Sequence, residues 1–296
     1  MLAFVGFLVS PLEQGLIYGM MALGVYLSFR VLNYADLTVD GSLPLGAAIT
    51  ASMIVAGHDP WLATLLAVLG GAVAGTATGL LHTQLRITPL LSGILTMTAL
   101  YSINLRVMGR SNIPLLRADT IFNQAAALGL GERGASLILA AGTAALLIFL
   151  LYLFLETELG LAVRATGDNE QMIKSLGVNT DTTKVLGLAL SNALVALSGS
   201  YVAQYQHFAD VGMGIGTIIA GLASVIIGEV LFGSSSVWRA LVAVVGGSFF
   251  YRLVIALVLW MGLQPTDLKL MTALLVVLAL ASPQLKQRLR LGASGS

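Results

Sequence analysis

The chain has no cysteine, so disulfide frameworks, thiolate metal sites and cysteine nucleophiles are all excluded. Charge is nearly as scarce. Only 10% of the residues are Asp, Glu, Lys or Arg, where an ordinary soluble domain carries about 25%. Acids and bases almost cancel at a formal +1, which gives no footprint for nucleic acid or for a strongly charged partner. H-E-x-x-H, G-x-S-x-G and G-x-x-x-x-G-K-[ST] are also missing, so no hydrolytic or phosphate-binding motif stands in the chain. Ser198 in "LSGS" has no obvious base. No basic region precedes the N-terminal apolar run, and Pro11 and Glu13 interrupt it. That run reads as an uncleaved first element, a short helix lying in the membrane interface.

What is present is apolar: 57% of the residues are hydrophobic. Polar or Pro/Gly-marked interruptions divide the chain into segments 12–33, 42–57, 60–81, 89–109, 135–155, 184–205, 212–232, 237–261 and 266–282. Most approach the roughly 20 residues a helix needs to cross a bilayer. The expectation is one all-α polytopic membrane domain over 1–296, with about nine spans (about eight to ten) surrounded by membrane lipid. Lys286, Arg288 and Arg290 put the tail 283–296 in the cytoplasm by the positive-inside tendency. Threading back puts 156–183 inside and 110–134 outside, despite Arg110, Arg117 and Arg133. Gly71, Gly75 and Gly79, and Gly15 with Gly19, are spaced for close helix contact. Gly212, Gly214 and Gly216 at alternate positions predict a broken half-helix beside a cavity.

Residues 161–184, "LAVRATGDNEQMIKSLGVNTDTTK", form the longest charged, helix-competent stretch. The signals predict a helix over 169–176, with Asp168 as N-cap, Gln171 completing a capping box, Glu170 at the positive end of the dipole and Gly177 terminating it. Met172, Ile173 and Leu176 share one side of it. So short a helix does not stand alone. Its support is either a partner protein or the chain's own helix ends.

Polar residues in or beside apolar segments are the pathway and gate candidates, because ionisable groups in a membrane face a cavity or a partner. Asn33, Asp36, Thr38 and Asp40 fall in the break "NYADLTVD", where they either line a pathway or make a hydrated turn capping the next helix. Glu229 is placed to meet Arg239 across a short turn. Arg252 lies about 20 Å along its helix from Arg239, and either binds a substrate carboxylate, pairs with a buried acid or snorkels. Asn104, Asn192 and Gln204 bond either between helices or to a ligand. His58, His82 and His207 fall in separate loops without metal-ligand spacing. The aromatic residues, Tyr26, Tyr101 and Trp238 among them, are spread as membrane anchors or core fillers.

Several blocks together carry a resemblance. "ELGLAVRATGDNEQMIKSLGVNTDTTKVLGLALSNALVALSG" resembles the cytoplasmic coupling loop and following helix of ABC-importer permeases of the branched-chain amino acid and ribose class. "VLNYADLTVDGSLPLGAA" and "GLASVIIGEVLFGSSSVWRALVAVVGG" resemble two further segments of that class, in the same order. "NYADLTVDGS", "NIPLL" and "YQHFADVGMGIGTIIAGLASVIIGE" look most like its tryptophan/tyrosine-type group. Glu229 stands where the broader class tends to have Gly, so the cargo is not copied from branched-chain amino acid transporters.

The resemblance implies a transport subunit in a bacterial-type inner membrane, not an enzyme. Two permease copies, as a homodimer or with a similar permease, would form the path. Two ATPase subunits would bind ATP and Mg, leaving this chain without a cofactor, and an extracytoplasmic solute-binding protein would deliver a small solute such as an amino acid. Met172, Ile173 and Leu176 would sit in an ATPase groove, with Arg164, Asp168 and Glu170 orienting the contact. The competing function is an autonomous secondary transporter or channel, which would need no docking helix.

Overall fold

The computed structural model describes residues 2–116, 118–127, 131–262, 270, 272–274 and 277. Helix α1 (Leu2–Val25) runs on through a π-helical turn, Tyr26–Val31. Helices α2 (Val39–Val55), α3 (Pro60–Thr83) and α4 (Pro89–Met108) follow. Asp59 accepts hydrogen bonds from the amides of Trp61 and Leu62, and Pro60 and Pro89 occupy first helical positions where no amide hydrogen is required. Strand β1 (Asn112–Pro114), the short α5 (Ile121–Ala125) and the long α6 (Glu132–Glu156) come next. Two short helices, α7 (Glu158–Asp168) and α8 (Glu170–Ser175), lead into α9 (Thr180–Gln206). Strand β2 (Phe208–Asp210), a 3-10 turn (Val211–Gly214), α10 (Thr217–Phe232) and α11 (Val237–Trp260) complete the described elements.

Helix α9 is the axis of the bundle, with 72% of its most apolar window buried and with α1, α2 and α3 packed around it. Lipid supplies no hydrophobic drive between helices, so close backbone approach and interhelical hydrogen bonds hold such a bundle together. The glycine stripe of α3 supplies the approach. A methyl group on Gly75 would strike the Leu188 carbonyl, and one on Gly71 the Asn192 carbonyl. Gly15 and Gly19 do the same for α1 against Phe249 and Val245 of α11. The predicted glycine contacts are therefore real seams.

Six described helical segments are long and apolar enough to cross a bilayer, fewer than the about nine that apolar runs alone predict. Helix α2 stops at 17 residues, and segment 266–282 lies largely outside the described residues. The expected interfacial helix before Pro11 is corrected, because α1 passes through Pro11 and Glu13 without a break. Glu13 is buried and accepts hydrogen bonds from the hydroxyls of Ser136 and Tyr205, the latter at 2.9 Å, so the acid is accommodated inside the bundle. An all-α architecture fits apart from one small antiparallel ladder, in which β1 pairs with β2 with Ile113 opposite Ala209. This ladder ties β1 to the strand that directly follows α9.

The 3-10 turn and Gly216, at φ +84°, interrupt the chain ahead of α10, as the alternating glycines predict. The helix is broken there because its first turn is capped from another helix altogether.

Candidate functional site

That cap is Asp40. Its Oδ2 accepts from the Gly216 amide at 2.9 Å, and its Oδ1 accepts from the Ile218 amide at 2.8 Å and the Thr217 hydroxyl at 3.0 Å. A carboxylate at the positive end of a helix is favourable on both counts, charge and hydrogen bonding. The break of residues 33–40 thus caps a helix more than 170 positions away. Asp36 acts closer to home: fully buried, it accepts from the Thr38 amide at 2.9 Å and the Asn192 side chain at 2.7 Å. Thr38 meets Thr78 at 2.7 Å, and Thr78 donates to Thr96 at 2.9 Å. Asn33, by contrast, is exposed with φ +53° and joins none of these partners.

Two buried amides of α9 are fully engaged. Asn192 donates to Asp36 and to the Leu188 carbonyl and accepts from Ser42 at 2.7 Å. Gln204 donates to Thr64 and Ser200 and accepts from the Ile121 amide at 3.0 Å. Both side chains are interhelical connectors. Asn104 differs. Its amide nitrogen donates to the Gly41 carbonyl at 3.2 Å, while its buried Oδ1 has no partner among the described residues.

Asp40 and Asn104 meet at one cavity of about 290 Å³ between α2, α4 and the broken turn, which also carries Tyr101 and Ile215. Its size is at the lower end for small-molecule pockets. Arg252 borders a separate cavity of about 440 Å³, beside Tyr18, Thr217 and Tyr251. Its guanidinium lies 3.5 Å over the Tyr18 ring, and no carboxylate pairs with it among the described residues. Glu229 pairs with Arg30 at 2.9 Å, not with Arg239. Arg239 instead donates from its guanidinium to the Ser235 hydroxyl, four residues earlier, at 3.1 Å, while its amide donates to the capping Ser236.

At the other end, α8 departs from its predicted form. Asn169 is the N-cap, accepting from the Met172 amide at 3.0 Å, whereas Asp168 closes α7. Extended backbone at Asn169 separates two helices that local signals merge into one. Gly177, at φ +85°, ends α8 as expected. The expected single apolar side is divided: Ile173 is buried against the chain, while Met172 is 53% and Leu176 is 69% exposed. Glu170 reaches Lys174 and Lys184, each at 2.7 Å. Hydrogen bonds from Lys174 and then Lys184 pull its carboxyl down to about 2. Lys184 in turn lies 3.4 Å from His82 Nε2, and His82 Nδ1 donates to the Ile87 carbonyl. Thr166 meets Thr183 at 2.9 Å, and Arg164 lies half-buried on α7. A clamp of three elements thus fixes α8 to the start of α9.

Sequence reasoning passed over Glu13, Arg30 and Lys184. An acid within an apolar run was the available signal for Glu13. The other two become visible only through partners 199 and 14 positions away.

A bundle of lipid-length helices with a broken helix beside a largely apolar cavity that carries a few polar groups has the make-up of a polytopic permease-type membrane protein. The chain belongs to the branched-chain amino acid transport system / permease component family, whose model matches residues 7–281. It is a multi-pass inner-membrane protein. It is 45% identical to the tyrosine transport system permease protein of Clostridioides difficile, over 96% of this chain and 93% of that one. The ribose import permease protein RbsC of Bacillus subtilis is 28% identical over 75% of this chain and 67% of its own length. In the solved structure of PsaBC from Streptococcus pneumoniae in complex with Fab, a chain superposes with a TM-score of 0.54 at 15% identity, covering 92% of this chain and 90% of that one, a likeness of fold.

Proposed function

We propose that this chain is the membrane subunit of an ATP-driven importer. Two copies form the path, two ATPase subunits dock on α8, and an extracytoplasmic solute-binding protein delivers an amino acid, of aromatic type by analogy with the tyrosine permease relative. The observation that carries the reading is α8 itself. Its anchors, Glu170 and Ile173, hold it to the chain, and its free apolar side chains, Met172 and Leu176, face solvent. Exposed apolar side chains on a pinned polar loop are suited to a hydrophobic groove on a partner. ATP and Mg belong to that partner, and this chain contributes only the lever.

Movement of α8 reaches α9 through the Glu170–Lys184 pair and through the Thr166–Thr183 contact of α7. Since α9 contacts α1, α2 and α3, its displacement shifts the bundle as a body and alternates access on the two sides of the membrane. Orientation follows from docking: the 156–183 segment faces the cytoplasm and 110–134 the exterior.

Affinity purification from detergent-solubilised native membranes tests this. A stoichiometric ATPase is expected, lost in Met172→Asp and Leu176→Asp while both variants stay folded. A clean preparation without ATPase, under conditions that preserve known complexes, would replace the importer by an autonomous transporter or channel.

A further inference from the structure

The cavity between α2, α4 and the Val211–Ile215 turn has a largely apolar wall with a few acceptors set in it. Asn104 is 1% exposed, and its orientation is fixed chemically: the Gly41 carbonyl can only accept, so the amide nitrogen must face it and Oδ1 must face away. That Oδ1 has no partner among the described residues. Buried polar groups are normally paired, so an orphaned acceptor at a cavity wall marks a missing donor. Asp40 offers a second. Its Oδ1 faces the Ile218 amide and the Thr217 hydroxyl, whose one hydrogen is shared with the Gly214 carbonyl, and its Oδ2 faces only the Gly216 amide, leaving a lone pair of the carboxylate open. Thr98 gives its hydroxyl hydrogen to the Ile94 carbonyl at 2.8 Å, which leaves its oxygen as an acceptor too. No Lys, Arg or His stands on this wall among the described residues, and Tyr101 brings the one donor hydroxyl.

The rest of the wall is carbon, from Pro44, Met97, Val211 and Ile215. An inorganic cation would want oxygens on most sides, whereas a wall mostly of carbon with a few acceptors set in it suits a charged amine carried on a hydrocarbon body. We propose that this cavity is a binding site for the primary ammonium group of the transported solute, with Asn104 and Asp40 receiving the ammonium hydrogens and Tyr101 and Met97 flanking the apolar part. The site deepens the importer reading and rests on it for the identity of the ligand as cargo. It also separates classes of cargo: a sugar carries no such amine.

The absence of native cysteine makes the test direct. Met97→Cys places a single thiol on the apolar wall of the full-length protein in nanodiscs. Its modification by the cationic reagent methanethiosulfonate ethylammonium is compared with that by the anionic ethylsulfonate analogue, each normalised to free cysteine. The cationic reagent is expected to react about tenfold faster. Adding Asn104→Leu should remove most of that preference, and millimolar tyramine should slow the cationic reaction. Equal normalised rates, faster anionic labelling, no labelling by either reagent, a preference untouched by Asn104→Leu, or no slowing by tyramine would each overturn the assignment. Labelling needs no ATPase. A failed ATPase purification therefore sinks the importer reading alone, and failed charge selectivity sinks the amine site alone.

Discussion

The seam between α3 and α9 and the seam between α2 and α4 use the same materials, small residues and uncharged polar groups, and they finish differently. Around α9 every polar atom of Asn192 and Gln204 is matched, by Asp36, Ser42, Thr64 and Ile121 among others, and the glycines of α3 let backbone lie on backbone. Against α4 the chain leaves Asn104 half-satisfied beside a cavity, and Ile215 is 69% exposed. A saturated seam has one low-energy arrangement, because any shift strands a buried polar group. A seam with open acceptors can take up a ligand or slide. The contrast assigns rigidity to the α3–α9 axis and room for change to the α2–α4 side.

Gly75→Leu should break the comparison most severely, since its side chain meets the Leu188 carbonyl rather than a yielding side chain. Loss of monodisperse protein in fluorescence-detected gel filtration is the expected outcome, and a normal elution profile would show the seam can open. Asn192→Leu comes next. It strands the Asp36 carboxylate and the Ser42 hydroxyl, at about 3 kcal/mol, seen as a large fall in apparent melting temperature. The same change at Asn104 should cost far less, because only the bond to Gly41 is lost.

Smaller effects sharpen the picture at α8. Lys184→Met should loosen α8 by about 1 kcal/mol, discounted because Glu170 is a third exposed, and hydrogen exchange across 170–176 would register it. The pH dependence has a definite sign. Glu170 is held below its ordinary 4.5, so its contribution is complete above that value and fades as pH falls toward about 2. Faster exchange in α8 on acidification through that window is expected in the native chain and not in Glu170→Gln. Smallest of all, Arg30→Ala should shift stability by about 0.5 kcal/mol or less, Arg30 being largely exposed, and Arg239→Ala should leave Glu229 undisturbed.

Much of this was legible in the residues. The glycine stripes of α1 and α3, the broken entry to α10 and the stop at Gly177 all appear where spacing and backbone preference put them. Local signals failed where two local solutions compete. Asp168 and Asn169 are both good caps, and choosing between them depends on where α7 ends, which is set by its packing on the π-turn at Val31 through Gly167. Pro11 and Glu13 look like a break until Ser136 and Tyr205 arrive to hold the acid. Of the pathway candidates, Asp40 and Asn104 come together at one cavity, Arg252 lines another, and Asn33 stands apart.

By itself the sequence determined the solvent this protein lives in, the helical form of its spans, and the places where backbones must touch, because composition and short-range spacing act within a few residues. The tertiary structure alone decided that Asp40 caps α10, that Arg30 rather than Arg239 answers Glu229, that Ile173 turns inward while Met172 and Leu176 stay free, and that one oxygen of Asn104 is left waiting. Each of these depends on which distant atom satisfies a polar or apolar group, and in a bundle those partners are fixed by how whole helices pack.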